Sequence, residues 1–347
     1  MKGTEMDLDT IKMKIQDFFQ EGTVTIVGSG LSSAEGIPGM GDLAKELQAK
    51  VSKMLLLSED IKNWENIEDD LKKGVGLEKA LHNTKPSVFV EECIREVTAL
   101  YIGQADKELF IDIVKNRRQL RFSEYLQRFN IRKQGMTVIT TNYDRLIEYA
   151  CEMNDIIADT LFTGNYIARY KPEQSKFTAC SGVQKKSSKV KIEYFPKVTI
   201  LKPHGCLSWH LFNGEPYSLP NYPVDDSLII TPGLNKYRAG YSVPFDTHRE
   251  RANSEIDKAQ RYIIIGYGFG DDHLETHLIQ QLHMGKPALI FTYSLSEKAK
   301  KIAKENKGVT AFCHANSCDT EMVTSKEKTI LSGINLWDLR EMIKEVF

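Results

Sequence analysis

The 347-residue chain lacks any long hydrophobic run. Its longest apolar stretches, such as Tyr262–Gly266, are several-fold shorter than the roughly 20 residues of a membrane span, and Met1–Phe19 alternates charges throughout, so neither a transmembrane helix nor a signal peptide is expected. It also lacks an excess of either charge. Its 46 Lys and Arg stand against 47 Asp and Glu for a net charge of -1, which argues against nucleic acid as a direct ligand. Disorder is excluded by 41% hydrophobic residues. The six cysteines (Cys93, Cys151, Cys180, Cys206, Cys313, Cys318) form no C-x-x-C pair, so neither a disulfide framework nor a four-cysteine zinc site is indicated, and a reducing cytoplasm is the expected compartment.

What the chain does contain is an alternation of strand and helix signals. Leu8, Ile11, Ile15 and Phe18 fall at helical spacing and predict an amphipathic helix within residues 1–22 that docks on the core or on another subunit. Thr23–Val27 reads as a strand that breaks into Gly28-Ser29-Gly30 before a helical stretch from Leu43 to Leu57. Residues 43–130 are charged and periodic without β runs, which predicts an inserted helical module. Met136–Thr140 is a buried-strand pattern, followed by a helix over Asn142–Met153. Residues 154–197 are rich in lysine (Lys171, Lys176, Lys185, Lys186, Lys189, Lys191, Lys197) and read as a smaller, basic, partly β-stranded insert. Residues 198–347 resume the core, with strands at Val198–Leu201, Ser227–Thr231, Tyr262–Gly266, Ala288–Thr292 and Val309–Phe312, and helices at Asp246–Lys258, His273–His283, Ser296–Glu305 and Leu336–Phe347. This pattern predicts an α/β fold: a Rossmann-like, doubly wound parallel sheet with ligands beyond the strand C-termini.

Four segments at those C-termini carry groups able to do chemistry. In Gly28–Pro38, backbone N–H groups of a glycine turn can approach a pyrophosphate closely, although Ser33 stands where G-x-G-x-x-G has its third glycine; such a turn also serves as a plain connection. In Thr140–Leu146, Asn142 can hydrogen-bond a ribose or a water or simply serve as a turn residue at a strand end, and Asp144 can cap the next helix, a role that alone would explain it. In Lys202-Pro203-His204-Gly205, His204 is a general base or a structural imidazole. Gly266–His273 is a second glycine-rich turn, able to cradle the other half of a dinucleotide or simply to reverse the chain. Two metal arrangements fall short of a ligand set. His273 and His277 with Asp271, Asp272 and Glu275 lack the H-E-x-x-H pattern, and Cys313-His314 with Cys318 is short of donors, so no metal is expected.

Together, Gly28-Ser29-Gly30-Leu31-Ser32 with Gly36-Ile37-Pro38, Thr140–Leu146, His204-Gly205 and Gly266-Tyr267-Gly268-Phe269 resemble the sirtuin NAD-binding core over roughly residues 23–295. They resemble most the sirtuin-like NAD-hydrolysing effectors of bacterial phage defence. The resemblance implies NAD as substrate, with Gly28, Ser29, Gly30 and Leu31 along the pyrophosphate, Ser32 and Ile37 near the nicotinamide, and Thr141 among the cofactor-binding residues. It further implies Asn142 and Asp144 at the nicotinamide ribose and amide pocket, His204 as the base, and Gly266, Tyr267 and Gly268 around the adenosine half.

Three departures separate the chain from sirtuin deacylases. Gly39-Met40-Gly41 replaces their Asp-Phe-Arg, their four-cysteine zinc module is missing, and the Asn-to-His interval is enlarged by the basic insert. The expected activity is therefore NAD glycohydrolysis, in a gated antiviral effector that depletes NAD. The alternatives are an NAD-dependent deacylase or ADP-ribosyltransferase, and a non-catalytic sensor of NAD or ADP-ribose. The resemblance also implies a homo-oligomer and a separately encoded activating or inhibiting protein, such as a HerA-type ATPase or a nucleotide-responsive subunit.

Overall fold

A computed structural model describes residues 7–131, 135–186, 189–232 and 242–347. Its centre is a nine-stranded sheet. The helices that matter below are α1 (Leu8–Gln16), α2 (Ser29–Ala34), α3 (Met40–Lys50), α4 (Ser58–Lys72), α5 (Leu77–Asn83), α6 (Val88–Asn116), α7 (Arg121–Leu126), α8 (Leu146–Glu152), α9 (Pro172–Ser175), α10 (Phe245–Lys258), α11 (Asp272–His283), α12 (Glu297–Glu305) and α13 (Leu339–Val346). The strands are β1 (Thr23–Val27), β2 (Met136–Thr140), β3 (Ile157–Asp159), β4 (Phe162–Thr163), β5 (Ala168–Tyr170), β6 (Cys180–Lys186), β7 (Lys189–Tyr194), β8 (Lys197–Leu201), β9 (Trp209–Phe212), β10 (Glu215–Ser218), β11 (Arg261–Ile265), β12 (Ala288–Thr292), β13 (Val309–His314), β14 (Thr320–Val323) and β15 (Lys328–Leu331).

The sheet order is β15-β14-β13-β12-β11-β1-β2-β8-β3. From β13 to β3 every pairing is parallel, while β14 and β15 add an antiparallel edge. The inner strands β1, β11 and β12 are buried along nearly their whole length and are made mostly of apolar residues, as a sheet covered on both faces requires. One apolar cluster gathers α1, α7, α8 and α13 on one face, and another gathers α10, α11 and α12 on the other, which is the doubly wound arrangement. The chain lays down β1, β2 and β8 in one direction and then returns past β1 to lay down β11, β12 and β13 in the other. The reversal opens a crevice at the carboxyl ends of β1 and β11, where open α/β sheets bind ligands.

The apolar stripe of α1 is spent inside the molecule. Ile11, Ile15 and Phe18 are buried, Gln16 Nε2 donates to Val346 O at 2.5 Å, and Phe19 packs on Phe347 with ring centroids 4.8 Å apart. It is therefore docked on the core, not left open for a partner. Between β1 and β2 the helices α3 to α6 build a further core of their own around Leu47, Trp64, Ile67 and Leu81. The long α6 belongs to both: Val90, Ile94 and Val97 face that cluster, while Ala99, Ile102 and Leu109 join the main one.

Several elements differ from the sequence reading. The helix expected from Asn142 starts at Leu146, because Thr141–Arg145 is held as a loop whose Asp144 Oδ1 accepts the Leu146 N–H at 3.2 Å. The stretch from Leu43 to Leu57 splits into α3 and a 3-10 turn over Val51–Lys53. Ser227–Thr231 makes no strand. Its β-branched run meets the turn after His204 through a single bridge, Gly205 to Ile229. The basic insert is not one unit: β3 extends the main sheet, β4 and β5 join β9 and β10 in a four-stranded sheet, and β6 with β7 forms a hairpin. No helix among the described residues is long and apolar enough to cross a membrane.

Candidate functional site

Two glycine turns lock against each other at the switch point. Gly28 N–H donates to Ile265 O and Gly30 N–H to Gly266 O, both at 2.9 Å. A Cβ on Gly28 would lie 2.5 Å from Gly266 O, one on Gly30 2.7 Å from Gly266 Cα, and one on Gly266, which has φ +58°, 2.5 Å from Leu31 N. Glycine at these three positions is thus demanded by backbone-to-backbone contact. The contact brings the ends of β1 and β11 together and leaves Gly28 and Ser29 at the rim of a cleft.

That cleft has a volume of about 220 Å³. Of the residues singled out in the sequence, Gly28, Ser29, Ser32, Ile37, Thr141, Asn142, Asp144, His204, Tyr267 and Gly268 line it. Gly30, Leu31 and Gly266 lie behind it. Leu31 is buried in the core, and the two glycines serve the turn-on-turn packing.

The polar groups of the cleft are joined in a chain. Asn142 Nδ2 donates to Gly28 O at 2.9 Å and to Ser32 Oγ at 2.8 Å, and Ser32 Oγ–H donates to Asp144 Oδ2 at 2.8 Å. With both amide hydrogens committed, Asn142 Oδ1 is the atom that remains for a ligand. Asp144 is nearly inaccessible, and its two oxygens are taken by Ser32 and the Leu146 N–H. Burial pushes its carboxyl up from 3.8 to about 6, against the pull of Lys202, with Asp106 adding to the rise. Asp144 therefore acts on the cleft through Ser32 and Asn142.

His204, which also lines the cleft, contacts Asp271 Oδ2 through Nε2 at the start of α11, whose Leu274 N–H donates to Asp271 Oδ1 at 3.3 Å. A carboxylate on Nε2 fixes the tautomer that carries its proton there and leaves Nδ1 as the basic nitrogen. The sequence places Asp271 in the second glycine turn but gives no sign of its pairing with His204. That pairing depends on β8 and β11 flanking β2 and β1.

The helical module supplies the third wall, through Met40, Leu43, Glu78 and Ile102, none of which carries a motif visible in sequence. Asp106 of α6, fully buried, receives Arg145 N–H at 2.7 Å, Arg145 Nε at 2.9 Å and Tyr149 OH at 2.8 Å, which ties the Asn142 loop to the module. Glu35, also buried, receives Arg118 Nη2 at 2.7 Å and the Arg121 N–H at 2.8 Å, anchoring the segment that leads into Ile37. A larger cleft of about 1060 Å³ opens between α6, α8 and the four-stranded sheet, but neither Asn142 nor His204 reaches it.

His277 pairs with Asp257 at 3.0 Å, and Cys313 Sγ lies 3.7 Å from Glu321 O. The side chains of Asp272 and His273, named above for a metal arrangement, lie outside the described residues. Among the described residues no group of three or more His, Cys, Asp or Glu is placed to hold a metal.

Residues 136–312 match the SIR2-like domain family. Solved structures similar to the chain include one described as the structural basis of sirtuin substrate affinity (12% identity, TM-score 0.44, covering 99% of this chain and 98% of that one). A Sir2 homolog–NAD complex (13%, 0.41, 99% and 95%) and Sir2 bound to acetylated peptide (13%, 0.37, 96% and 96%) are also similar. No curated protein matches the chain.

Proposed function

The chain belongs to the SIR2-like domain family, and from that premise we propose that it is an NAD glycohydrolase that converts NAD and water to nicotinamide, ADP-ribose and a proton. The observation that carries this reading is the cleft itself. At the topological switch point one cleft is lined by Asn142 with its bound Ser32–Asp144 pair, by the His204–Asp271 pair, and by Gly28, Ser29, Tyr267 and Gly268. A dinucleotide lying across β2, β1 and β11 would set its nicotinamide ribose beside Asn142 and His204 and its adenosine half beyond Gly268. A bound dinucleotide has been described for the Sir2 homolog–NAD complex.

The chemistry asks little of the protein beyond placement. Nicotinamide leaves as a neutral molecule, so the bond to C1′ is weak once the ribose can take up positive charge, and a water held near C1′ completes the exchange. Asn142 Oδ1 would orient that water or a ribose hydroxyl. His204 Nδ1 would accept the proton from the water or the 3′-hydroxyl, and Asp271 would stabilise the imidazolium that forms. No step calls for a metal.

We further propose that the enzyme is gated and acts as a defence effector by depleting NAD. The cleft of about 220 Å³ is smaller than the roughly 300–1,000 Å³ of ligand pockets, and Gly39, Met40, Leu43 and Glu78 of the helical module form the wall that has to withdraw. An assembly or partner that binds the open form preferentially would activate it. The test is to incubate the purified chain with NAD in the absence of any acceptor, alone and with the proteins encoded beside it, and follow nicotinamide and ADP-ribose. Release that requires an acylated peptide or a protein acceptor would make it a transferase, and tight binding with no release at any concentration would make it a sensor.

A further inference from the structure

Behind the cleft sits a charge that the reaction does not use. Lys202, the residue after β8, has a fully buried side chain, a position lysine takes only with partners. Its ammonium pairs with Glu148 Oε1 of α8 at 2.8 Å, donates to the main-chain oxygen of Asp144, and lies 3.6 Å from Cys206 Sγ. Its main-chain N–H donates to His248 Nδ1 of α10 at 3.1 Å. One buried cation therefore joins the loop that carries Asn142 and Asp144, the helix that follows it, and the turn that carries His204.

We propose that Lys202, braced by Glu148, is a positioning residue of the nucleotide cleft, fixing the main chain at Asp144 and holding that carboxyl in its ionised form. The inference rests on the hydrolase reading for its catalytic consequence, and its electrostatic half can be measured without turnover. Among the described residues the charges that face Asp144 are Lys202, just after β8, and Asp106 from α6, with the Ser32 hydroxyl of α2 and the Leu146 N–H of α8 as neutral donors. Those that face Lys202 are Asp144 and Glu148, with the thiol of Cys206 beside them. Beyond them His248, itself in the field of Arg251, is pushed down to about 3 by burial and stays neutral. Burial works against the ammonium; burial also pushes the Cys206 thiol up, which keeps it neutral, so it is Glu148 and Asp144 that hold Lys202 charged.

Opposite shifts follow for two substitutions. Lys202→Met removes the cation that opposes the rise of Asp144, so its carboxyl moves further up. Glu148→Gln removes the anion that shares the ammonium, so the carboxyl moves down. A lysine that merely filled space would produce neither pattern.

The experiment is a pH titration of aspartate carboxyl carbons in ¹³C-Asp-labelled full-length protein, with the Asp144 signal identified by its loss in Asp144→Asn, alongside kcat and KM for NAD. The expected result is a midpoint near pH 6 in the parent, raised by about one pH unit or more in Lys202→Met and lowered in Glu148→Gln, with kcat reduced at least tenfold in Lys202→Met. Midpoints unchanged in either folded variant, or moved in the same direction in both, overturn the proposal. If Lys202→Met does not fold, the sign of the Glu148→Gln shift decides alone. A parent that titrates as expected but never releases nicotinamide, alone or with the proteins encoded beside it, counts against the hydrolase reading and not against this electrostatic assignment.

Discussion

At the scale of single residues the account separates groups that meet the ligand from groups that hold them. Asn142→Ala and His204→Ala should each reduce NAD cleavage by roughly 10²–10⁴-fold or more, the usual contribution of a placed acid–base or orienting group. Both variants should fold, with a lowered melting temperature, because Asn142→Ala gives up two hydrogen bonds that tie the glycine turn to its neighbours and His204→Ala removes the partner of the buried Asp271. Cleavage at the parental rate by either variant would remove it from the mechanism. Asp144 behaves differently. Its carboxyl rises from 3.8 unfolded to about 6 folded, so the fold is favoured by the protonated form. The associated stability is present below pH 4 and is lost as pH rises through 6, on the order of 3 kcal/mol at neutral pH. Asp144→Asn, which keeps the shape without the charge, should therefore melt no lower than the parent at pH 8 while losing activity. A clear drop in its melting temperature at that pH would show that the ionised carboxyl stabilises the fold.

At the scale of elements the two glycine turns bear most of the geometry. Gly266→Ala must place a Cβ 2.5 Å from Leu31 N in a left-handed conformation, so it should destabilise the protein by at least ~2 kcal/mol. Gly41→Ala, at an exposed helical position with no atom within 4 Å, should be neutral or stabilising by up to ~1 kcal/mol. Equal denaturation midpoints for the two would contradict the turn-on-turn packing. These elements also show what a sequence reveals. Thr23–Val27, Met136–Thr140 and Ala288–Thr292 appear as strands with the boundaries read from their β-branched runs, because strands buried on both faces need uninterrupted apolar residues. Ser227–Thr231 carries the same composition and forms one bridge, since pairing depends on what the fold brings alongside. Within the cleft, Asn142 and His204 were legible because polar residues at the ends of apolar strands stand out. Asp271 as the partner of His204, Lys202 beneath Asp144, and the wall formed by Met40, Leu43 and Glu78 were not. Those contacts join segments far apart in the chain and leave no periodic or spacing signal.

At the scale of the whole molecule, three layers meet at one crevice: the parallel sheet supplies the floor, its two glycine turns the rim, and the helical module a wall that narrows the opening. A hydrolase that consumed NAD without restraint would drain the cofactor of its own cell, so the proposed activity requires the wall to be closed in the free chain. The α1 stripe is already occupied by α13, which leaves the helical module and the β6–β7 hairpin as the surfaces through which other chains could act. Product analysis decides whether the chain hydrolyses NAD: NAD is incubated, without any acceptor, with the purified chain over a wide concentration range, alone and with the proteins encoded beside it. The account predicts nicotinamide and ADP-ribose in equal amounts, at a rate per chain that rises on assembly and disappears in His204→Ala. NAD left intact under every one of these conditions, or nicotinamide released equally by His204→Ala, would contradict it.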